Sequence, residues 1–242
     1  DRRSRAARDS RTRGFNPQHS SFTPQVFNTA ATSVAVTLPA RNVGDRLTLF
    51  LNRSSASTDA IATPSGWTPL DTSSLTGTAA SFCRAYYQDV TAGNVGDATA
   101  TFTGGTSTTS TSLIWLVSGA DPSVAPVANG TLQNSNTTTV NPGALTGPNA
   151  GAVQRNLFCA HVGTSTQDTA LGATPAVTVF PTDYTDTGTS TTTDASATNG
   201  CGQGWGLKVA TAGSDDPSAW TYCPTGTGRA LAINVAIRGV IG

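Results

Sequence analysis

A chain of 242 residues is long enough to bury a substantial core, and this one is only 12% charged with no formal net charge. All of its acids are Asp and all of its bases Arg except Lys208, while Thr is about one residue in six, so β-branched residues stand where strong helix formers would be. This composition argues against a helical fold, four Trp on regularly spaced apolar segments argue against disorder, and with no run of about 18 apolar residues no membrane-spanning segment is expected.

Residues 1–25 read as an N-terminal arm and connector. Arg2, Arg3, Arg5, Arg8, Arg11 and Arg13 stand against Asp1 and Asp9, so residues 1–13 carry 6 − 2 = +4 and the remainder 8 − 12 = −4. A basic arm on an acidic body suits docking on an acidic neighbour, another copy of the chain included. Residues 1–14 allow a short helix ended by Gly14 or an extended arm. Pro17 and Pro24 make residues 15–25 a connector. No aromatics interleave with the arginines, so a protein–protein anchor is preferred to nucleic-acid binding. The N-terminus shows no apolar signal region, and an initial Asp in a chain without Met fits processing or a missing leader.

The body spans 26–242. Residues 33–38 (SVAVTL) alternate as a strand, and residues 46–51 (RLTLFL) form another behind the turn Gly44-Asp45. The turn Thr63-Pro64-Ser65-Gly66-Trp67-Thr68 delivers a Trp into a short strand. Residues 81–88 (SFCRAYYQ) and 97–102 (DATATF) flank a polar loop and are expected to form a hairpin. Residues 112–117 (SLIWLV) read as a central strand ending at Gly119. A Pro/Asn-rich crossing segment follows Asp121-Pro122.

The pattern then runs again. Residues 156–162 (NLFCAHV) answer RLTLFL, the turn at Phe180–Thr185 answers the first Trp turn, 205–210 with 218–223 repeat the hairpin, and 231–237 (LAINVAI) repeat the last strand. Thr91-Ala92-Gly93 recurs as Thr211-Ala212-Gly213, Phe102 as Tyr222 and Gly119 as Gly239, each 120 residues on (211 − 91 = 120). Trp67 and Tyr184 differ by 117, so the second half gained residues, placed in the Thr/Ser-rich loop 186–200. The expected fold is all-β: a single jelly-roll-like β-sandwich with internal pseudo-two-fold duplication, half repeats about 26–121 and 138–242, each half giving strands to both sheets. Two tandem immunoglobulin-like sandwiches are the alternative.

Chemistry-bearing patterns are sparse. No Gly-x-Ser-x-Gly elbow occurs, His19 lies in the connector, and His161 beside Cys159 reads as a wall residue rather than a base. Cys83, Cys159, Cys201 and Cys223 lack metal-ligand spacing; Cys201 and Cys223 flank a predicted hairpin, where buried thiols are preferred to a disulfide. Asp183, Asp186 and the Asp215-Asp216-Pro217 loop read as turn builders rather than paired catalytic carboxylates or a calcium loop. The expectation is a non-catalytic protein with no cofactor and no metal. Trp115 belongs to the core; Trp67, Trp205 and Trp220 read as packing aromatics, with Trp67 and Trp205 also candidate ligand platforms if exposed.

These elements together resemble a pattern of tailed-bacteriophage virion proteins: Val43-Gly44-Asp45 before an apolar strand, the Trp67 turn, Ala85-Tyr86-Tyr87 with the Thr91-Ala92-Gly93 loop, and apolar strands closing on Gly, echoed at Ala236-Ile237-Arg238-Gly239-Val240. The resemblance covers roughly residues 33–240 and not the arm. It implies a virion setting, as a capsid decoration (cement) protein or a minor tail protein, and carries no catalytic residues. The partners implied are the major capsid protein or other virion proteins, with a closed homo-oligomer, a trimer favoured, and no membrane. A tail or fibre protein that binds host glycan, and a secreted carbohydrate-binding module, are the alternatives.

Overall fold

The structure is a computed structural model that describes residues 17–54, 61–75, 81–137, 139–148, 155–165, 177–192, 201–210, 213–222 and 228–240. The regular elements among them are all strands. The first half supplies β1 (Gln18–Thr37), β2 (Arg46–Ser54), β3 (Thr68–Leu75), β4 (Ser81–Asp89) and β5 (Thr99–Ser118). The second supplies β6 (Val127–Thr137), β7 (Thr139–Val140), β8 (Leu145–Thr146), β9 (Asn156–Ser165), β10 (Thr185–Thr191), β11 (Cys201–Ala210), β12 (Ser214–Asp215), β13 (Trp220–Thr221) and β14 (Gly228–Arg238).

Each half folds into one complete antiparallel sheet, in the order β1-β5-β2-β4-β3 and β6-β14-β9-β11-β10. The expectation that each half would give strands to both sheets is therefore corrected. Duplication itself is written into the register. Phe50 pairs with Ala85 and Leu113, and His161 pairs with Trp205 and Ile233. The offsets are 205 − 85 = 120 and 233 − 113 = 120. The two sheets share one core, with Phe50, Leu113, Trp115 and Val117 on one side meeting Leu157, Leu207, Ile233 and Val235 on the other. One shared core makes this an all-β sandwich rather than two tandem domains.

Both sheets are buried on their outer faces as well, which explains the continuous apolar runs. In β2, Phe50 faces the shared core while Leu47, Leu49 and Leu51 face a second cluster with Val36, Trp67 and Phe102. That cluster exists because β1 and β5 curl over the sheet. The pairing of β1 with β5 slips between Phe27 and Ser33, and Gly104 takes φ 122. The buried Arg53 guanidinium holds the bend, donating to Gly104 O at 3.0 Å and Ala31 O at 2.6 Å. In the second half the corresponding cover is made of the short pair β7–β13 and residues 177–184, over Ala160, Ala230 and Ala232.

Several local expectations fail for one reason, that sequence neighbours are not always sheet neighbours. β4 pairs with β2 and β3, not with β5, so neither predicted hairpin forms. Residues 99–102 and 112–117 belong to a single curled strand, β5. The connector is largely strand, since β1 begins at Gln18, and the crossing segment contains β6, β7 and β8. The second half thus starts before residue 138, and the supposed loop 186–200 begins with the edge strand β10.

Equivalent ends of the halves meet where the sheets are joined. Ala120 bridges Gly239, and Val240 N donates to Gly119 O at 2.9 Å. Asp121 accepts from Ser123 N and Oγ (2.9 and 2.6 Å) and from Arg238 Nε and Nη2 (3.1 and 2.5 Å). The Ser123 hydroxyl, then Arg238, holds the Asp121 carboxyl down to about 2. Asp121→Asn keeps the turn contacts but removes the ion pair, and is expected to cost about 1–2 kcal/mol, read as a lower urea midpoint at unchanged slope.

Candidate functional site

Three places carry polar chemistry. The first is a relay inside the sandwich. The His161 ring stacks on Phe50, its duplicate, with centroids 4.8 Å apart and planes 7° apart. Gln203 Nε2 donates to Ser112 O and Ser190 Oγ, both at 2.9 Å. Its Oε1 is therefore left to accept from His161 Nε2 at 3.1 Å, and Nδ1 accepts from the Cys83 thiol at 3.3 Å.

A Cys–His–amide series has the outline of a nucleophilic site, but this one lacks its electrostatics. Burial pushes the Cys83 thiol well up, with Cys201 adding to the shift, and pulls His161 down to about 4. The thiol keeps its proton, the imidazole is neutral, and all three side chains are fully buried. The relay is a hydrogen-bonded tie between sheets. His161 is thus a wall residue, although the cysteine it contacts is Cys83 of the facing sheet and not its strand neighbour Cys159. The duplication held a clue: Cys83 and Gln203 are equivalent positions, 203 − 83 = 120, and both flank His161. Cys201 is buried, its Sγ donating to Thr109 O at 3.4 Å, while Cys223 lies outside the described residues.

The second place is the aromatic set. Trp67 is 7% exposed and meets Phe102 edge-on at 6.2 Å; Trp205 is 3% exposed and lies against Gly188. Neither offers a ring to a ligand, so packing is the role of both. Trp115 and Trp220 are fully buried.

The third place is one end of the sandwich. β1 starts there, with Gln18 opposite Ser118 at the end of β5. The same end holds Arg46 opposite Asp89, Asn156 opposite Arg238, and Thr185 opposite Leu207. Among the described residues it gathers Asp45, Asp89, Asp97, Asp121, Asp183, Asp186, Asp215 and Asp216, against Arg41, Arg46, Arg155, Lys208 and Arg238. The balance is 5 − 8 = −3. Asp89 pairs with Arg46 at 2.7 Å, Asp215 with Lys208 at 2.8 Å, and Asp121 with Arg238 at 2.5 Å. Asp215 also accepts from the Tyr184 hydroxyl, whose proton is held by burial and then by that carboxylate. Asp97, Asp183, Asp186 and Asp216 are exposed. At the opposite end the interior turns polar instead, where Asn52 Nδ2 donates to Gly202 O at 2.9 Å and Thr164 O at 3.2 Å.

Arg2, Arg3, Arg5, Arg8, Arg11 and Arg13 lie outside the described residues. Their point of attachment is within them: the chain enters the fold at Pro17 and Gln18, on an edge strand, at the acidic end. Sequence pattern alone did not reveal that end, because its carboxylates come from stretches far apart in the chain that only the sheet pairing brings to one side. Comparison with protein-family models, with curated proteins and with solved structures found no match.

Proposed function

We propose that this chain is a non-enzymatic structural protein of a tailed-phage virion, a capsid decoration subunit whose basic arm anchors it to acidic surface on the shell. The observation that supports this reading is the partition of charge, +4 on residues 1–13 and −4 on the remainder. The resemblance to virion proteins over the body supplies the setting. A body buried on both faces of both sheets is a sturdy carrier for such an arm, and a subunit that binds only the assembled shell stabilises it by linkage. Copies joined in a closed oligomer, a trimer favoured, would bind with avidity. The glycan-binding alternative called for solvent-facing aromatics around Trp67 or Trp205, and those rings are buried.

The test is co-sedimentation of the full chain, and of a chain lacking residues 1–14, with shells stripped of accessory proteins. The full chain should bind saturably and raise the shell's melting temperature, and the truncated chain should bind at least tenfold more weakly. Equal decoration by the truncated chain would show the anchor to be wrong.

A further inference from the structure

We infer that β10 is a docking edge and that its partner is β10 of a second copy, the two strands pairing antiparallel across a two-fold axis into one continuous sheet. This goes beyond the shell-binding reading and does not rest on it. An edge strand offers a row of backbone donors and acceptors to any incoming strand, and edges that are not used are commonly blocked or covered. Three edges here are treated in that way. β1 and β3 carry Pro24 and Pro69, each a donor missing from the row. β6 lies against β3, and its Asn129 Nδ2 donates to Ala144 O at 2.8 Å. β10 has no proline, lysine or arginine, and among the described residues no strand lies beyond it.

The duplication provides an internal control. β10 is the repeat of β3: Thr68 pairs with Tyr87 and Asp71 with Ala85, as Thr185 pairs with Leu207 and Gly188 with Trp205. The offsets are 185 − 68 = 188 − 71 = 117 and 207 − 87 = 205 − 85 = 120. Both strands shift register at the same place. The first half holds Pro69 where the second holds Asp186 (186 − 69 = 117). The fold therefore accepts a blocked strand at this position, and only the second half leaves it open.

The strand also fits its own copy. Thr185, Asp186, Thr187 and Thr189 are exposed, and Gly188, Ser190 and Thr191 are half-buried. Side chains alternate between faces along a strand, so β10 can extend the sheet by meeting itself only about a residue, never between two. About Thr189, Gly188 falls opposite Ser190 and Thr189 opposite its own copy, with Thr187 facing Thr191, a seam of threonine pairs. About Ser190 the pairing would need Thr192, which is buried and past the end of the strand. Asp186, the strand's one charge, stays outside this ladder. Its two copies stand about 20 Å apart, beyond the screening length. A strongly charged strand would find no complement here. A seam this short favours a weak, concentration-dependent pair, and a larger closed oligomer would need a further interface.

Sedimentation equilibrium of the full chain, from about 10 μM to 1 mM, spans the range expected of a small interface. The mass should rise towards twice that of the monomer. Thr189→Lys sets two cations directly opposite each other and should weaken the pair about tenfold or more, with an unchanged near-UV spectrum showing that the fold is kept. Thr189→Cys should form an interchain disulfide under mild oxidation. Thr185→Cys, whose copies would stand about 25 Å apart, should not. A monomer throughout the range overturns the proposal, as does association that Thr189→Lys leaves intact or that ends in trimers. Failure of Thr189→Cys to link, or equal linking by Thr185→Cys, overturns the register. The shell-binding test turns on residues 1–14 and is read separately, so either idea can fail alone.

Discussion

Lowering the pH from neutral towards 4 is expected to remove about 3 kcal/mol of stability, and His161 is the cause. Its imidazole is fully buried and is pulled from 6.5 to about 4, chiefly by desolvation, with the Gln203 hydrogen bond opposing the shift. The unfolded chain takes up this proton near 6.5, whereas the folded chain takes it up only near 4. The stabilisation is therefore complete above 6.5 and is lost as the pH falls through the window down to 4. Urea midpoints at several pH values would trace the loss. His161→Phe repeats the residue found at its duplicate, Phe50, and should abolish the slope in that window. It should also lower stability at pH 7 by about 1–3 kcal/mol, because Gln203 Oε1 loses its donor. His19 remains in that variant, so the difference isolates His161; an unchanged slope would show that this imidazole is not what titrates.

How far the fold could be read depended on what each segment buries. RLTLFL, SLIWLV, NLFCAHV and LAINVAI were plain because both of their faces are covered, leaving apolar runs that recur in the same order in each half. The stretch around Gly104–Thr111 was not plain. It is strand because β1 and β2 supply its hydrogen bonds, while Thr109, Ser110, Thr111 and Ser112 are buried where the interior is polar. Pairing was hidden for a related reason. After β4 the chain does not turn back in the sheet; Leu38 N bonds Ala98 O and the start of β5 lies over the outer face with β1. Local turn chemistry cannot tell such a crossing from a hairpin.

The candidate site divides in the same way. The arm was legible because its charge is contiguous, and the inertness of His161 because it sits in an apolar strand. The acidic end was not legible, since Asp45, Asp121, Asp183 and Asp216 come together only through strand register. Asp183 and Asp215 also looked alike as turn acids, yet the first is exposed and the second is buried against Lys208 and Tyr184.

Two glycines on the second sheet show how closely that register is packed, and substituting them should be among the most damaging single changes. Gly188 in β10 stands directly opposite Trp205, and a Cβ there would lie 2.7 Å from the indole Cε2. Gly204 would put its Cβ 2.7 Å from Val177 Cβ. Neither glycine is needed for its backbone; each is needed for the space it leaves. The indole belongs to the core shared by both sheets and cannot retreat, so Gly188→Ala must push β10 off β11 or strain the Trp rotamer. Overpacking of this kind costs about 1–3 kcal/mol, and the upper part of that range is expected here. Gly204→Ala should cost less, because Val177 lies in a covering segment and not in a ladder strand. The decisive measurement is a double-mutant cycle. In a Trp205→Leu background Gly188→Ala should lose most of its effect, a coupling of about 1–2 kcal/mol, whereas additive losses would mean that the ring does not rest on Gly188.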